Sequence, residues 1–503
     1  MNHNLYAILA ARFLETPETA ALILPAAQSI SFADLDRASA RCANLLVQLG
    51  LKPGDRIAAQ VEKTPQALYL YLGSLRAGCV FVPMNTTYQR NEVTYFLSNA
   101  EPGLFVHTPN DWAQELASAA QVPNVLTLNE NGDGSFADAL AQQADSFATV
   151  ERGENDLAAI LYTSGTTGRP KGAMLSHNNL AANVKTLHAY WHWQQGDVLL
   201  HMLPIFHVHG LFVAVHCALY NGSTMLFEPK FDAKRVLELL PRATVMMGVP
   251  TFYTRLLNEP AFTRDSCKNM RLFISGSAPL LLDTFNEFQQ RGGHTILERY
   301  GMTEGGMFTS NPCDGERRGG TVGFPLPGVS VRVVDDQNET CAANSIGNIQ
   351  VRGDNVFSGY WRLPEKTREE FSSDGYFKTG DVGKYSDDGY LTIVGRSKDL
   401  IISGGLNVYP KEIESVIDSL PGLLESAVIG IADADFGEAV IAVIVRRNEA
   451  DALDAASVIS ALKAELANFK IPKTVYFVEA LPRNIMGKVQ KNILREQYSK
   501  PTA

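Results

Sequence analysis

A two-domain α/β protein is what this sequence predicts: a large N-terminal domain of layered α/β subdomains plus a β-rich subdomain, then a small α+β domain. Three observations carry that expectation. The chain has 503 residues, more than one hydrophobic core usually supports. Up to about residue 300, short apolar runs alternate with segments of helical period, the pattern of a largely parallel sheet covered by helices. Beyond residue 320, short strands lie between turn clusters, and a charged link at 396–399 precedes a compact α+β stretch.

Taken in order, residues 31–35 start a helix that ends at Gly50, and 53–55 form a turn. A strand at 56–61, a helix at 64–77 and a strand at 80–84 follow, and 88–150 continue the theme. The polar, Gly/Asp-rich stretch 129–154 reads as a connection. Residues 157–161 form a buried strand, and Ser176 or Asn178 caps the next helix. Further strands are expected at 199–203, 243–250 and 272–275, with a helical turn at 251–257, and 295–304 reads as a strand that breaks into a loop. Ligands of such sheets sit beyond the strands' carboxyl ends, and the loops after 161, 203, 274 and 297 all fall there. Short strands at 329–334, 347–352 and 390–394 make the β-rich part, with Asp381 placed on a turn. The last domain reads as helix 410–417, strands 425–431 and 440–445, helix 455–469 and strand 474–478, with a mobile tail from 496. The expected division is 1–395, a hinge at 396–399, and 400–503.

Composition narrows the function classes. Hydrophobic content of 45% and charged content of 19% suit a globular enzyme, and a net charge of −10 argues against binding nucleic acid by bulk basicity. The six cysteines, at 42, 79, 217, 267, 313 and 341, form no C-x-x-C pair, so reduced thiols in a cytoplasmic protein are expected. The N-terminus lacks a signal-peptide pattern, and no run of about 18 apolar residues predicts a membrane span.

The chemistry concentrates in residues 162–172, YTSGTTGRPKG. Thr163, Ser164, Thr166 and Thr167 supply hydroxyls, Gly165 and Gly168 let backbone N–H groups turn toward an anion, and Lys171 adds a charge. This is a polyphosphate cradle, although the G-x-x-x-x-G-K-[ST] spacing is absent. His207 and His209, two apart beside Gly210, have no third ligand at suitable spacing and read as pocket-lining residues rather than a metal site.

Six motifs in order carry a resemblance over nearly the whole chain: 162–172; Ser277-Ala278-Pro279; Tyr300-Gly301-Met302-Thr303-Glu304; Thr379-Gly380-Asp381; Gly395-Arg396-Ser397-Lys398-Asp399; and Pro482 to Lys488. The sequence resembles the adenylate-forming superfamily of acyl-CoA synthetases, firefly luciferase and nonribosomal-peptide adenylation domains. The resemblance implies two half-reactions. A carboxylate attacks the α-phosphate of ATP to give an acyl-adenylate and pyrophosphate; the thiol of coenzyme A then displaces AMP. It also implies roles. Lys488 bridges the carboxylate and α-phosphate, Glu304 holds Mg²⁺, and Thr303 with the loop hydroxyls holds phosphate. Tyr300 stacks on adenine beside Glu298 and Gly301, Asp381 accepts from the ribose, and Arg396 supports the nucleotide. Lys398 is the hinge about which Lys488 withdraws while Ser403, Gly404 and Gly405 reach the thiol tunnel. Acylation of Lys488 by a protein lysine acetyltransferase, reversed by a deacetylase, would act as a switch.

Within that superfamily the sequence is most similar to malonyl-CoA synthetases, which implies malonate, and methylmalonate beside it, as the acid. Arg255 and Arg299 suit a second carboxylate, with His207, Val208 and Met307 around it. Val208, where the group tends to carry threonine, and Gly305-Gly306, where it tends to carry Thr-Asn, imply a looser, less polar pocket. Three alternatives stay open: a ligase for an ordinary short, medium-chain or aromatic acid, a protein that loads a carrier, and a nucleotide-binding regulator.

Overall fold

The computed structural model describes residues 2–163, 170–403, 406–433, 436–447, 453–485 and 487–499. Ser164, Gly165, Thr166, Thr167 and Gly168 of the loop, and Gly404 and Gly405, lie outside the described residues.

Among the described residues, two large sheets dominate the N-terminal part. One runs, in spatial order, Asn124–Thr127, Leu104–His107, Arg56–Gln60, Val80–Pro83, Leu157–Thr163, Lys171–Ser176. Its strands are parallel except the last pair, where Leu157–Thr163 and Lys171–Ser176 pair antiparallel and bring Thr163 opposite Lys171. The other has nine strands and is parallel through its centre: Leu272–Ser275, Val245–Gly248, Val198–His201 and Thr224–Phe227 lie side by side. Leu297–Met302 extends it in parallel, and Gly306–Ser310 then turns back antiparallel.

Helix starts follow local chemistry. Ser31 accepts from Asp34 N while the Asp34 carboxylate takes Ser31 N, a reciprocal cap for Phe32–Gln48. Thr64 caps Pro65–Arg76. Ser176 caps His177–Tyr190, with Asn179 rather than Asn178 completing the reciprocal pair. The expected connection at 129–154 contains a helix, Ser135–Ala141. Its signal is the i, i+4 pair Phe136 and Leu140, both buried within an otherwise polar stretch.

A four-stranded antiparallel sheet, Val329–Val334, Gly347–Gly353, Phe377–Tyr385 and Leu391–Arg396, forms the β-rich part. Asp381 sits within Phe377–Tyr385 and not on a turn. Thr-Gly-Asp reads as a turn because Gly380 has φ +71°, yet cross-strand pairing continues past it. The C-terminal part is a smaller α+β unit. Leu423–Asp433 and Gly437–Arg446 pair antiparallel, and Thr474–Val478 joins in parallel. Alternation along these strands sends Val428 and Ile444 to one core and Ala427 and Val443 to another, one on each sheet face. The last helix, Lys491–Tyr498, buries Leu494, so order extends past 496. Among the described residues no helix is long and apolar enough to cross a membrane, and all six cysteines are unpaired.

Candidate active site

The site is built on Leu297–Met302 and the strand ends beside it. Alternation on this strand sends Glu298 and Tyr300 to one side and Arg299 to the other.

Tyr300 donates from its hydroxyl to Asp381 Oδ2 at 2.5 Å, and Arg396 Nε reaches Asp381 Oδ1 at 2.7 Å. Asp381 and Arg396 are direct cross-strand partners, and Asp381 N donates to Thr379 Oγ1. Three motifs far apart in sequence thus close on one buried carboxylate. Beside them Glu298 is buried, accepts from Gly320 N at 3.1 Å, and is pushed up to about 8 by that burial, so at neutral pH it is a carboxylic acid.

Glu304, in the turn after the strand, is buried and accepts from the Tyr360 hydroxyl at 3.0 Å. Burial raises its pKa, and Lys171 works against that rise. A buried carboxylate with the Tyr360 hydroxyl on it, next in the chain to the half-buried Thr303, offers oxygen donors, which suit Mg²⁺. Lys171 lies 4.1 Å from the Tyr360 ring centroid and 3.2 Å from Glu370 Oε1. Tyr360 and Glu370 were not legible as site residues. The only sequence signal is an aromatic pair, Tyr360-Trp361, ahead of a charged helix.

On the opposite side Arg299 is 5% exposed, and its Nε and Nη2 meet no acceptor among the described residues. Burial lowers its pKa to about 9. The guanidinium lies over Gly276, where an added Cβ would stand 2.3 Å from Arg299 Cζ, so a side chain there would push the guanidinium aside. His207 and His209 flank it. Burial first, and then Arg299, pushes His207 down to about 4 and His209 well below its ordinary value, so both imidazoles are neutral. His209 opens a π-helical turn, His209–Val215, and its Nδ1 lies 3.3 Å from Ser277 Oγ. Ser277 is held in the left-handed region at φ +73°, a conformation that costs a non-glycine residue energy and is kept by its surroundings. Ala278 is half-buried and Pro279 exposed on the same loop.

Arg255 is not brought into this buried cluster. On Pro250–Leu257 the buried positions are Tyr253, Leu256 and Leu257, and Arg255 is exposed. It shares a helix face, at i, i+4, with Thr251, whose Oγ1 would stand 3.1 Å from a Cβ on Gly487. Arg255 therefore stands on the side turned toward the Lys488 turn.

Val208 and Met307 are both buried. Val208, Gly305 and Gly306 line one cavity with Leu175, Leu180 and Phe212. On their other side the two glycines are closely approached. A Cβ at Gly305 would meet the Phe308 ring at 2.4 Å, and one at Gly306, where φ is +65°, would meet Asn183 Oδ1 at 2.5 Å. Larger residues here would make Phe308 and Asn183 shift, while the cavity the glycines line stays open beside them.

Lys488 follows a tight turn, with Gly487 at φ +73° and Lys488 N bonded to Asn484 Oδ1 at 3.0 Å. Its side chain retains solvent exposure, but crowding in the cleft and the nearby Arg396 lower its pKa to about 8, with Asp381 opposing. The C-terminal unit thus presents Lys488 to the Asp381–Arg396 pair. Lys398 is exposed in a short 3₁₀ turn, Ser397–Asp399, whose Asp399 binds Arg495 at 2.8 Å. Ser403 is buried at the end of Ile401–Ser403.

Comparison with known proteins gives the family and the fold. The AMP-binding enzyme family matches residues 9–361, and its C-terminal domain matches 412–488. A malonate–CoA ligase of Arabidopsis thaliana is 36% identical over 483 residues, covering 89% of this chain and 78% of that protein. A mitochondrial malonate–CoA ligase of Mus musculus is 35% identical over 490 residues, covering 89% and 83%. The crystal structure of ATP-bound MatB from Rhodopseudomonas palustris superposes with a TM-score of 0.96 at 54% identity, covering 99% of each chain. Since the family model spans most of the chain and relatives of more than 30% identity align along it, the chain belongs to the AMP-binding enzyme family, as an acyl-CoA synthetase of the adenylate-forming type.

Proposed function

We propose that the protein is an ATP-dependent malonate–CoA ligase, with methylmalonate as a second substrate, acting through an acyl-adenylate and releasing AMP and pyrophosphate. The observation that carries the choice of acid is Arg299. A buried guanidinium with two unpartnered nitrogens needs an anion, and a second carboxylate supplies one with matching bidentate geometry. The relatives named as malonate–CoA ligases support the same choice.

In this reading MgATP lies across the strand ends. Tyr300 and Gly301 form the adenine wall, while Asp381, held by Tyr300 and Arg396, still has lone pairs for the ribose hydroxyls. Glu304 would hold Mg²⁺, which would supply neutralisation of the phosphate charge. Lys488 stands between two anions, the reacting carboxylate and the α-phosphate, and lowers their mutual repulsion as the new bond forms. Ser277 and the neutral His209 hold the acid from the side of the Arg299 cluster, and Arg255 closes the cleft mouth. After adenylation the C-terminal unit, hinged at 396–399 about Lys398, withdraws Lys488 and turns the Ser403 strand toward the pantetheine thiol. The large unit is then 1–395 and the mobile one 400–503. The six unpaired thiols favour a cytoplasmic location.

Thioester formation with malonate, methylmalonate, acetate, butyrate and a cinnamate tests the acid. Malonate is expected to have the highest kcat/KM, and a monocarboxylate ahead of it contradicts the reading. Supplying a free carrier protein in place of coenzyme A is expected to give no acyl transfer. Exposure of the Lys488 side chain fits control by a lysine acetyltransferase and deacetylase, since acylation removes the bridging charge. Peptide mass spectrometry of protein from its host is expected to find acylated Lys488, and a fully unmodified residue under all growth conditions argues against the switch.

A further inference from the structure

We propose that Glu370 is a parking counter-ion for Lys171, which it occupies until the β- and γ-phosphates of ATP displace it. The proposal rests on the ATP-dependent reading above. Lys171 is the first residue of the strand that leaves the glycine- and hydroxyl-rich loop, so it reaches the polyphosphate from that loop's base. Its Nζ is instead 3.2 Å from Glu370 Oε1, over the Tyr360 ring. The two side chains are only 19% and 23% exposed, so the pair is sheltered from full solvent screening.

Three features make this contact exchangeable rather than permanent. First, Glu370 is the last residue of helix Pro364–Glu370, where the partial negative charge of the helix end disfavours a carboxylate. Second, the same Oε1 also takes Lys366 Nζ at 3.2 Å. When Lys171 leaves, the carboxylate keeps a cation and no orphaned charge remains. Third, a triphosphate carries several negative charges against one on Glu370, so Lys171 gains by moving. The ring that floors Lys171 also holds Glu304 through its hydroxyl at 3.0 Å, so transfer of the lysine takes place beside the carboxylate that receives the metal. Glu370 acts through Lys171 and is a positioning residue, not a catalytic one.

The test is the equilibrium affinity for MgATP without acid, alongside AMP, in the full-length protein and its variants. Glu370→Gln removes the competitor and is expected to tighten MgATP about threefold, the scale of one partly exposed ion pair. AMP has no β- or γ-phosphate, so its affinity should not move. Lys366→Met leaves Glu370 to Lys171 alone and should weaken MgATP by a similar factor. In a Lys171→Ala background neither substitution should change MgATP binding. Opposite signs from two neighbouring substitutions are not produced by a merely structural role. The proposal is overturned if Glu370→Gln weakens MgATP or leaves it unchanged, if AMP shifts equally, or if the effect survives in Lys171→Ala. Failure of the ATP reading is separable, because the unaltered protein would then bind no MgATP.

Discussion

Lys488→Ala is expected to slow adenylation of malonate by about 100- to 1,000-fold, the usual loss when one preorganised charge leaves a transition state. Thioester formation from preformed malonyl-adenylate and coenzyme A should proceed at near its original rate. The asymmetry follows from position. Lys488 lies near the Asp381–Arg396 pair on a turn whose Gly487 faces Thr251, and in the proposed cycle the swing of the C-terminal unit takes it away before the thioester step. Pyrophosphate exchange reads the first half-reaction and single-turnover thioester formation reads the second. Equal loss of both sinks the assigned role. The same charge sets a pH dependence. Lys488 titrates at about 8 in the free protein, so adenylation kcat/KM is fully supported well below that pH and falls as pH rises through it. The thioester step should lack this limb.

Arg299→Met is expected to cost malonate at least about 30-fold in kcat/KM, the lower range for removing one partner of a desolvated charge pair. Activity with butyrate should hold or rise, because the replacement leaves an apolar wall. The variant should also be more stable than the parent. In the free protein the guanidinium is a buried charge without an acceptor at Nε and Nη2, and methionine of similar length removes that penalty while filling the space over Gly276. Loss of malonate turnover with a raised Tm is the signature of a binding cation kept at a cost to stability. A lowered Tm with loss of both acids would instead mark Arg299 as part of the core.

Much of this molecule is written locally. The alternation of apolar runs with helical segments, the capping serines at 31 and 176 and the cap at Thr64 place most of the N-terminal elements to within a residue or two. Errors came where a local signal had two meanings. Gly380 has turn geometry inside a continuing strand, and Phe136 with Leu140 make a helix in a stretch whose polarity suggests a loop. The same ambiguity explains Gly305 and Gly306. From the chain alone a glycine is missing volume; packing adds that the Phe308 ring and the Asn183 side chain lie against Gly305 and Gly306 on one side while a cavity remains on the other.

The order and chemistry of the six motifs were enough to establish the two-domain plan, the use of ATP and the family, because each motif is a short run whose side chains act together. Which residues of different motifs meet was decided by the tertiary structure. Asp381 acquires Tyr300 and Arg396 through strand pairing, Glu304 acquires Tyr360 from 56 residues away, and Lys171 acquires Glu370 from 199 away. The two arginines, alike in sequence, were separated by burial, Arg299 enclosed beside its strand and Arg255 exposed on a helix face. Electrostatics depends on desolvation and on partners distant in the chain, and neither is a property of sequence neighbours.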